Sequence, residues 1–191
     1  SMHRRGRLIV FLGPVGVGKS TVIRGLANEL RARGLRVHTI FIKAFHGPSY
    51  VLWLFVVKLL GIQRDWLAPW YLIIRGGMLK LARVLVLISV YVDALFSIPL
   101  RLLWVYMLRA LGFYVLSEDY LHSAIFDYVF TIRFMGKWSI KQFKFPLRII
   151  SALLNAHMPD EVIVLTASDH VLRTRWRQRG YGDPQLKYIK V

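Results

Sequence analysis

The sequence contains no cysteine, and carboxylates are scarce in it. The absence of cysteine excludes disulfide bonds and thiolate metal sites, so the fold must rest on packing alone, and a reducing cytoplasmic location is expected. Only 10 Asp and Glu stand against 27 Lys and Arg, and the formal net charge is +17. This balance predicts an anionic partner. A nucleotide, a nucleic acid and an acidic membrane surface all satisfy it.

Internal repeats, low-complexity segments and a signal-peptide pattern are also missing from the 191 residues. We therefore expect one domain, residues 1–191, in the cytoplasm or peripherally at the inner face of the membrane. The mean hydropathy of +0.45 is unusually high for a soluble domain. It indicates that part of the surface meets a membrane, another subunit or a lipid.

Short apolar runs alternate with stretches of helical periodicity. The runs predict strands over 7–12, 37–42, 113–116 and 161–165. The periodic stretches predict helices over 20–33 and 121–133, and a third over 171–178 capped by Ser168 or Asp169. Strand, helix and strand in about forty residues form a βαβ unit. The sequence therefore predicts an α/β fold with a parallel sheet and helices on both faces.

Residues 48–116 form an apolar tract in which we predict several helices. Single charged residues interrupt every long apolar stretch in it, which disfavours a membrane-spanning helix. These are Lys58, Arg83, Asp93, Arg101 and Arg109. Ser89, Asp93 and Ser97 recur every four residues and predict one polar stripe on an apolar helix. The helix is either buried in the core or in a homodimer interface, or it contacts a membrane. In either case Asp93 is a candidate wall residue of an acceptor pocket.

One motif carries chemistry on its own. Residues 13–21 match G-x-x-x-x-G-K-S/T between a predicted strand and a predicted helix, which is the context of a P-loop. Backbone N–H groups of such a loop surround the β-phosphate, the lysine reaches the β and γ oxygens, and the following hydroxyl binds Mg²⁺. We therefore predict a P-loop NTPase fold that binds a nucleoside triphosphate, ATP foremost, with magnesium. The predicted nucleotide-binding residues are Gly13, Gly16, Val17, Gly18, Lys19, Ser20 and Thr21.

Three separated segments resemble thymidylate kinases and the wider group of nucleoside and nucleotide kinases. The first is the P-loop. The second, Ser-Glu-Asp-Tyr-Leu-His-Ser at 117–123, is similar to that family's Asp-Arg-Tyr-x-x-Ser. The third begins with Pro159 and Asp160 and continues through a strand and an arginine-rich helix, which resembles the family's lid at 168–191.

The resemblance implies roles for several residues. Lid arginines fold over the transferred phosphoryl group in such kinases, and of Arg173, Arg175, Arg177 and Arg179 the best matches are Arg175 and Arg179. Glu118 falls at the family's aspartate, where it would hold Mg²⁺ through water or take a proton from the acceptor. The implied catalytic residues are thus Lys19, Glu118, Arg175 and Arg179, with Ser20 and Glu118 at the metal.

The chain also departs from the family pattern. Asp119 replaces an arginine that grips the acceptor's phosphate, which disfavours thymidine monophosphate and leaves room for a neutral alcohol. The loop after the second strand is different, and Lys43, His46 and Tyr50 could line the acceptor site with Asp93 and Asp119. Only eleven residues follow Gly180, too few for the final strand and helix of such kinases.

The leading hypothesis is a kinase that moves the γ-phosphoryl group of ATP to a small acceptor. The resemblance favours a nucleotide or nucleoside. A lipid or polyprenol alcohol is the alternative acceptor, since the tract is apolar and the chain basic. A nucleotide-dependent module that binds nucleic acid is the alternative from another class. It is disfavoured because the basic residues are dispersed without interleaved aromatics.

Overall fold

The computed structural model describes residues 6–63, 69–134 and 140–178. Four parallel strands form one sheet in the order β2-β3-β1-β4. Their bounds are β1 Leu8–Leu12, β2 Val37–Phe41, β3 Tyr114–Glu118 and β4 Glu161–Val164. The predicted parallel α/β sheet is confirmed, and each strand lies within two residues of its predicted bounds.

Helices fill most of the remaining described chain. They are α1 Lys19–Ala32, α2 Pro48–Leu59, α3 Pro69–Arg75, α4 Leu79–Val92, α5 Ile98–Ala110, α6 Leu121–Phe134, α7 Lys144–Ala156 and α8 Asp169–Gln178. A π-helical segment, Asp93–Ser97, joins α4 to α5, and a short 3-10 helix, Ile140–Phe143, precedes α7. The predicted helices after the first and third strands and after β4 are therefore confirmed.

The chain folds into two compact units. The first, which we call the sheet unit, is built from the chain up to Phe41, from Val105 to Tyr120 and from Pro159 onward. The second, the helical unit, comprises Ile42–Trp104 and Leu121–Met158. All four strands, α1 and α8 belong to the sheet unit, so the P-loop and the predicted lid helix share one unit.

Helix α1 packs against one face of the sheet. Its buried residues Ile23 and Ala27, one turn apart, meet Ile9 and Phe11 of β1 and Leu116 of β3. Every β1 residue from Leu8 to Phe11 is buried, as expected for a central strand covered on both faces. This packing fixes the first turn of α1 at the carboxyl end of the sheet, where α/β proteins bind ligands.

Asp160, the residue just before β4, links β4 to β1. Its carboxylate accepts a hydrogen bond from the Leu8 N–H at 2.7 Å, and its own N–H donates to the Leu8 carbonyl at 2.9 Å. Arg109 Nη2 lies 3.1 and 2.9 Å from the two carboxylate oxygens. The Pro-Asp segment that resembles the kinases therefore has a structural role in this chain.

One helix runs without a break from Leu79 to Ala110, through α4, the π-helical segment and α5. Its 32 residues are long and apolar enough to cross a membrane by length and composition, and half of its most apolar stretch is buried within the protein. The prediction of several helices in residues 48–116 is confirmed by α2, α3, α4 and α5. Arg83, Asp93 and Arg101 interrupt the apolar sequence but lie within this one continuous helix, because its backbone hydrogen bonds continue past them.

Candidate phosphate-binding site

The P-loop follows β1 directly, and α1 begins at Lys19. Gly13 and Gly16 have φ angles of 145° and 86°, which L side chains rarely adopt. A Cβ on Gly13 would collide with the Leu165 carbonyl, and one on Gly16 would lie 3.2 Å from the Trp176 ring. Only glycine fits these two positions, so the backbone is left open toward the N-terminus of α1, where an anion is stabilised.

Lys19 is buried and folded back on its own loop. Its Nζ donates hydrogen bonds to the carbonyls of Gly13 at 2.6 Å and Pro14 at 3.3 Å, and lies 3.5 Å from Asp119 Oδ1. The two carbonyls satisfy hydrogen bonds of the ammonium group, and the Asp119 carboxylate opposes its charge. A bound polyphosphate would offer the same group stronger, charge-assisted hydrogen bonds.

Ser20 and Glu118 meet beside the loop. In the sheet register Glu118 pairs with Phe11, which brings the ends of β1 and β3 together, and Ser20 Oγ donates to Glu118 Oε2 at 2.9 Å. No group of three or more His, Cys, Asp or Glu side chains suited to a metal ion occurs in residues 6–63, 69–134 and 140–178. A hydroxyl and a carboxylate nevertheless fit Mg²⁺, which binds few protein oxygens and keeps several waters.

Asp119 sits next to this pair in a left-handed conformation, with φ of 62°. Its N–H donates to the Phe11 carbonyl at 3.0 Å, and its carbonyl accepts from Ser117 Oγ at 2.6 Å. Aspartate tolerates this conformation better than most residues. The turn directs the buried Asp119 carboxylate at Lys19, so its charge is opposed by the lysine.

Helix α8 contacts the P-loop. Arg175 Nη1 donates to the carbonyls of Gly16 and Val17, both at 2.9 Å, and Trp176 Nε1 donates to the Val15 carbonyl at 2.6 Å. The structure thus brings Arg175 to the loop, and its role at a transferred phosphoryl group stays a prediction. Arg179 lies outside the described residues. Trp176 was missed, because one tryptophan in a chain with 14% aromatic residues gives no signal.

Val17 and Thr21, two further predicted nucleotide-binding residues, make backbone hydrogen bonds within the loop and the first turn of α1. The Val17 N–H donates to the Pro14 carbonyl at 3.2 Å, and the Thr21 N–H donates to the Gly18 carbonyl at 3.1 Å.

Beside Ser20 and Glu118 an open groove of about 300 Å³ runs between α1 and β2. It is lined by Ser20, Ile23, Arg24, Ala27, Arg31, Thr39, Ile40, Phe41 and Glu118. Two arginines give the groove a positive wall.

Asp93 does not line an open pocket as predicted. It is buried in the helical unit, where its carboxylate accepts hydrogen bonds from the Phe45 N–H at 2.9 Å, Ser49 Oγ at 2.7 Å and the Tyr128 hydroxyl at 2.6 Å. Burial raises the pKa of Asp93, and these donors oppose that rise. The hydrogen bonds offset the cost of a buried carboxylate. They also hold Phe45 at φ of 57°, a conformation rare for a bulky residue.

The predicted polar stripe faces the interior of the helical unit. Ser89 Oγ accepts a hydrogen bond from Trp53 Nε1 at 2.9 Å, and both residues are buried. Ser97 is buried as well. Its hydroxyl lies close enough to favour ionised Asp93, but it makes no full hydrogen bond within the described chain. Of the two alternatives for the polar stripe, burial within the protein and contact with a membrane, the structure shows burial.

The remaining acceptor candidates surround the turn that Asp93 holds. His46 stacks on Tyr50 with ring centroids 5.9 Å apart, and its Nδ1 lies 2.6 Å from the Ala44 carbonyl. Burial lowers the pKa of His46, the Ala44 hydrogen bond opposes this, and the charges of Lys43 and Arg101 lower the pKa further. Lys43, His46, Tyr50 and Asp93 thus belong to the helical unit, whereas Asp119 belongs to the sheet unit.

No protein-family model matches the sequence, and no curated protein matches it. Among solved structures, the chain is similar to thymidylate kinase from Candida albicans. The TM-score is 0.50 at 20% sequence identity, and the match covers 94% of this chain and 69% of that one. The four-stranded parallel sheet, the helices that flank it and the P-loop after β1 agree with this similarity. The chain has a thymidylate kinase-like α/β fold of the P-loop NTPase class.

Proposed function

We propose that this protein is an ATP-dependent phosphotransferase that moves the γ-phosphoryl group to a small acceptor, with a nucleotide or nucleoside favoured. The observation that carries the proposal is the 2.9 Å hydrogen bond between Ser20 and Glu118 beside the P-loop. It brings a hydroxyl and a carboxylate together beside the loop, and in the proposed reaction these groups would hold Mg²⁺ near the γ-phosphoryl group.

The chain supplies a residue for each part of the transfer. When Mg·ATP binds, Lys19 would exchange its loop carbonyls for the β and γ oxygens, and Ser20, with Glu118 through water, would hold Mg²⁺, which would offset charge on the phosphates. A phosphate oxygen of a nucleotide acceptor attacks the γ-phosphorus directly, whereas a nucleoside hydroxyl attacks it and gives its proton to a carboxylate, for which Glu118 is the candidate base. The bond from the γ-phosphorus to the bridging oxygen breaks, and ADP leaves.

Arg175 adds positive charge on the lid side. Its guanidinium already reaches the loop carbonyls of Gly16 and Val17, so a short movement brings it to a bound γ-phosphate. A guanidinium group there stabilises negative charge on the equatorial oxygens of the transition state. We assign the same role to Arg179 from the resemblance alone.

Charge in the groove supports an anionic acceptor. Arg24 and Arg31 line the open space next to Glu118, and positive side chains at that place attract a phosphate-bearing molecule. The sequence suggested that Asp119 would repel such a molecule. Its ion pair with Lys19 reduces that repulsion, so Asp119 counts less against a nucleotide than the sequence suggested. The similar Candida albicans enzyme is described as a thymidylate kinase of broad substrate specificity.

A lipid or polyprenol alcohol is the second candidate acceptor. It is favoured by the exposed apolar side chains of the long helix, which include Phe96 and Leu100. A membrane lipid would present its hydroxyl to an enzyme held at the bilayer.

The test is a transfer assay with γ-labelled ATP and a panel of nucleoside monophosphates, nucleosides and polyprenols, the last in mixed micelles. We expect label on a nucleotide or nucleoside, none with Lys19→Ala, and a large loss with Arg175→Ala. Label on polyprenol alone would replace the favoured acceptor by the second one. Equal labelling by the wild type and Lys19→Ala, or labelled phosphate with no labelled acceptor in any arm, would contradict a phosphotransferase.

A further inference from the structure

An apolar face lies exposed along the long helix of the helical unit. It consists of Val84, Ile88, Phe96, Leu100 and Trp104, whose side chains are between 42% and 62% exposed. We call these residues the apolar face. The opposite side of the same helix is also apolar, but it is buried, with Leu85, Val86, Val90, Ala94 and Leu102 among its residues. A helix that is apolar on every side needs an apolar surrounding on every side.

The π-helical segment helps to keep the apolar face on one side of the helix. Each residue of an α-helix turns about 100°, so twenty residues from Val84 to Trp104 would carry a straight stripe about 200° around the axis. A π-helical turn holds about one residue more, which takes back about 100° of this drift. Because the segment Asp93–Ser97 lies midway, it removes about half of the drift between the exposed residues before and after it.

The charge of the chain near the apolar face indicates what kind of surface covers the face. The exposed Lys80 lies one turn before Val84 on the same side of the helix, and the only acidic residue from residue 66 to residue 117 is Asp93, which is buried. A second copy of the chain would add another +17 to the first across the contact. An anionic lipid surface attracts the same charge.

We propose that the apolar face docks flat on an anionic lipid bilayer. Flat docking, rather than spanning, follows from the buried side of the helix, where Asp93 holds Ser49, Phe45 and Tyr128 through three hydrogen bonds. A spanning helix would have to break these contacts. Trp104, at the far end of the face, is a residue type enriched at membrane interfaces. The proposal goes beyond the phosphotransferase activity and holds for either acceptor.

The test is flotation of the full chain with two kinds of vesicle. One is made of phosphatidylcholine alone, and the other also contains about 30% phosphatidylglycerol as the anionic lipid. We expect strong flotation with the anionic vesicles only, and release by high salt. Phe96→Ser with Leu100→Ser should lower the bound-to-free ratio at least about tenfold. The matched control is Leu35→Ser with Met158→Ser, exposed apolar residues outside the face, which should float like the wild type.

Thermal melting shows whether each variant is folded, and light scattering without vesicles gives the oligomeric state. Equal flotation of the wild type and the face variant, or no flotation of the wild type, overturns the proposal. A wild-type dimer that the face variant converts to monomers assigns the face to a second copy and also overturns it. Retention in the membrane after alkaline extraction shows a spanning helix and contradicts flat docking. None of these outcomes bears on phosphoryl transfer in detergent, so the two proposals fail separately.

Discussion

Ser20 Oγ and Glu118 Oε2 lie 2.9 Å apart, joined by a hydrogen bond between the first turn of α1 and the end of β3. The two residues are 98 positions apart in sequence. The parallel register of β1 with β3 brings them together, because it aligns Phe11, just before the P-loop, with Glu118. A hydroxyl and a carboxylate are thereby fixed at the same place.

The role of Glu118 gives a first prediction. Glu118→Gln keeps the size of the side chain and removes its charge, so we expect kcat of the transfer to fall at least about hundredfold while Mg·ATP affinity changes little. Steady-state kinetics and calorimetry measure the two quantities. Glu29→Gln, an exposed carboxylate on α1, is the matched control. Full turnover by Glu118→Gln would remove Glu118 from the reaction.

Arg175 gives a second prediction. Arg175→Ala removes two hydrogen bonds to the P-loop and a guanidinium group from the reaction centre, so we expect kcat/KM to fall at least about hundredfold. Arg173→Ala changes the same helix at a residue whose side chain makes no hydrogen bond to the described part of the chain. It should keep kcat/KM within about threefold of the wild type. Equal losses in both variants would point to damage to α8 instead.

The buried carboxylate of the helical unit gives a third. Asp93→Ala leaves three donors without an acceptor, and we expect the free energy of unfolding to fall by about 3 kcal/mol or more. Ser151→Ala, at an exposed position on α7 of the same unit, is the matched control. Urea denaturation measures both. A loss of less than about 1 kcal/mol in Asp93→Ala would show that these hydrogen bonds add little.

His46 gives a prediction for pH. Burial, the largest cause, lowers its pKa in the folded chain below the ordinary value of 6.5. Burial raises the pKa of Asp93, so that group contributes stability as the pH falls. At His46 the unfolded chain binds more protons as the pH falls below 6.5, and this residue contributes a loss of stability. His122, whose pKa burial also lowers, acts in the same direction.

Melting temperatures at pH 7.5, 6.5 and 5.5, a range of about one pH unit to either side of the ordinary histidine value, measure this effect. His46→Gln should lose less stability over the range than the wild type, whereas His170→Gln, at an exposed position, should behave like the wild type. An unchanged slope in His46→Gln would show that another group causes the pH dependence.

Local patterns were enough to predict much of the fold. A glycine motif between an apolar strand and an amphipathic helix identifies the P-loop, because each of its parts is close in sequence. The strands were predicted for the same reason, since apolar runs end at glycine or at polar residues. Glu118 was predicted because it follows such a run directly.

Contacts between distant residues were not predictable in this way. Trp176 meets Val15 from 161 positions away, and nothing near either residue indicates the contact. Asp93 looked like a pocket residue because its partners, Phe45 and Tyr128, lie 48 and 35 positions away. The continuity of the long helix was not predicted, because Pro99 and the single charged residues within it interrupt the apolar sequence. Its backbone passes through them and changes only to a π-helical turn at Asp93–Ser97.

The central claim is that the loop from Gly13 to Ser20 holds the phosphates of Mg·ATP. Titration calorimetry with Mg·ATP tests it most directly, on the wild type and on Lys19→Ala. The account predicts saturable binding by the wild type with one site per chain, and binding at least about tenfold weaker in the variant, which lacks the ammonium group. No heat of binding with the wild type, or equal affinity of the two proteins, would contradict it.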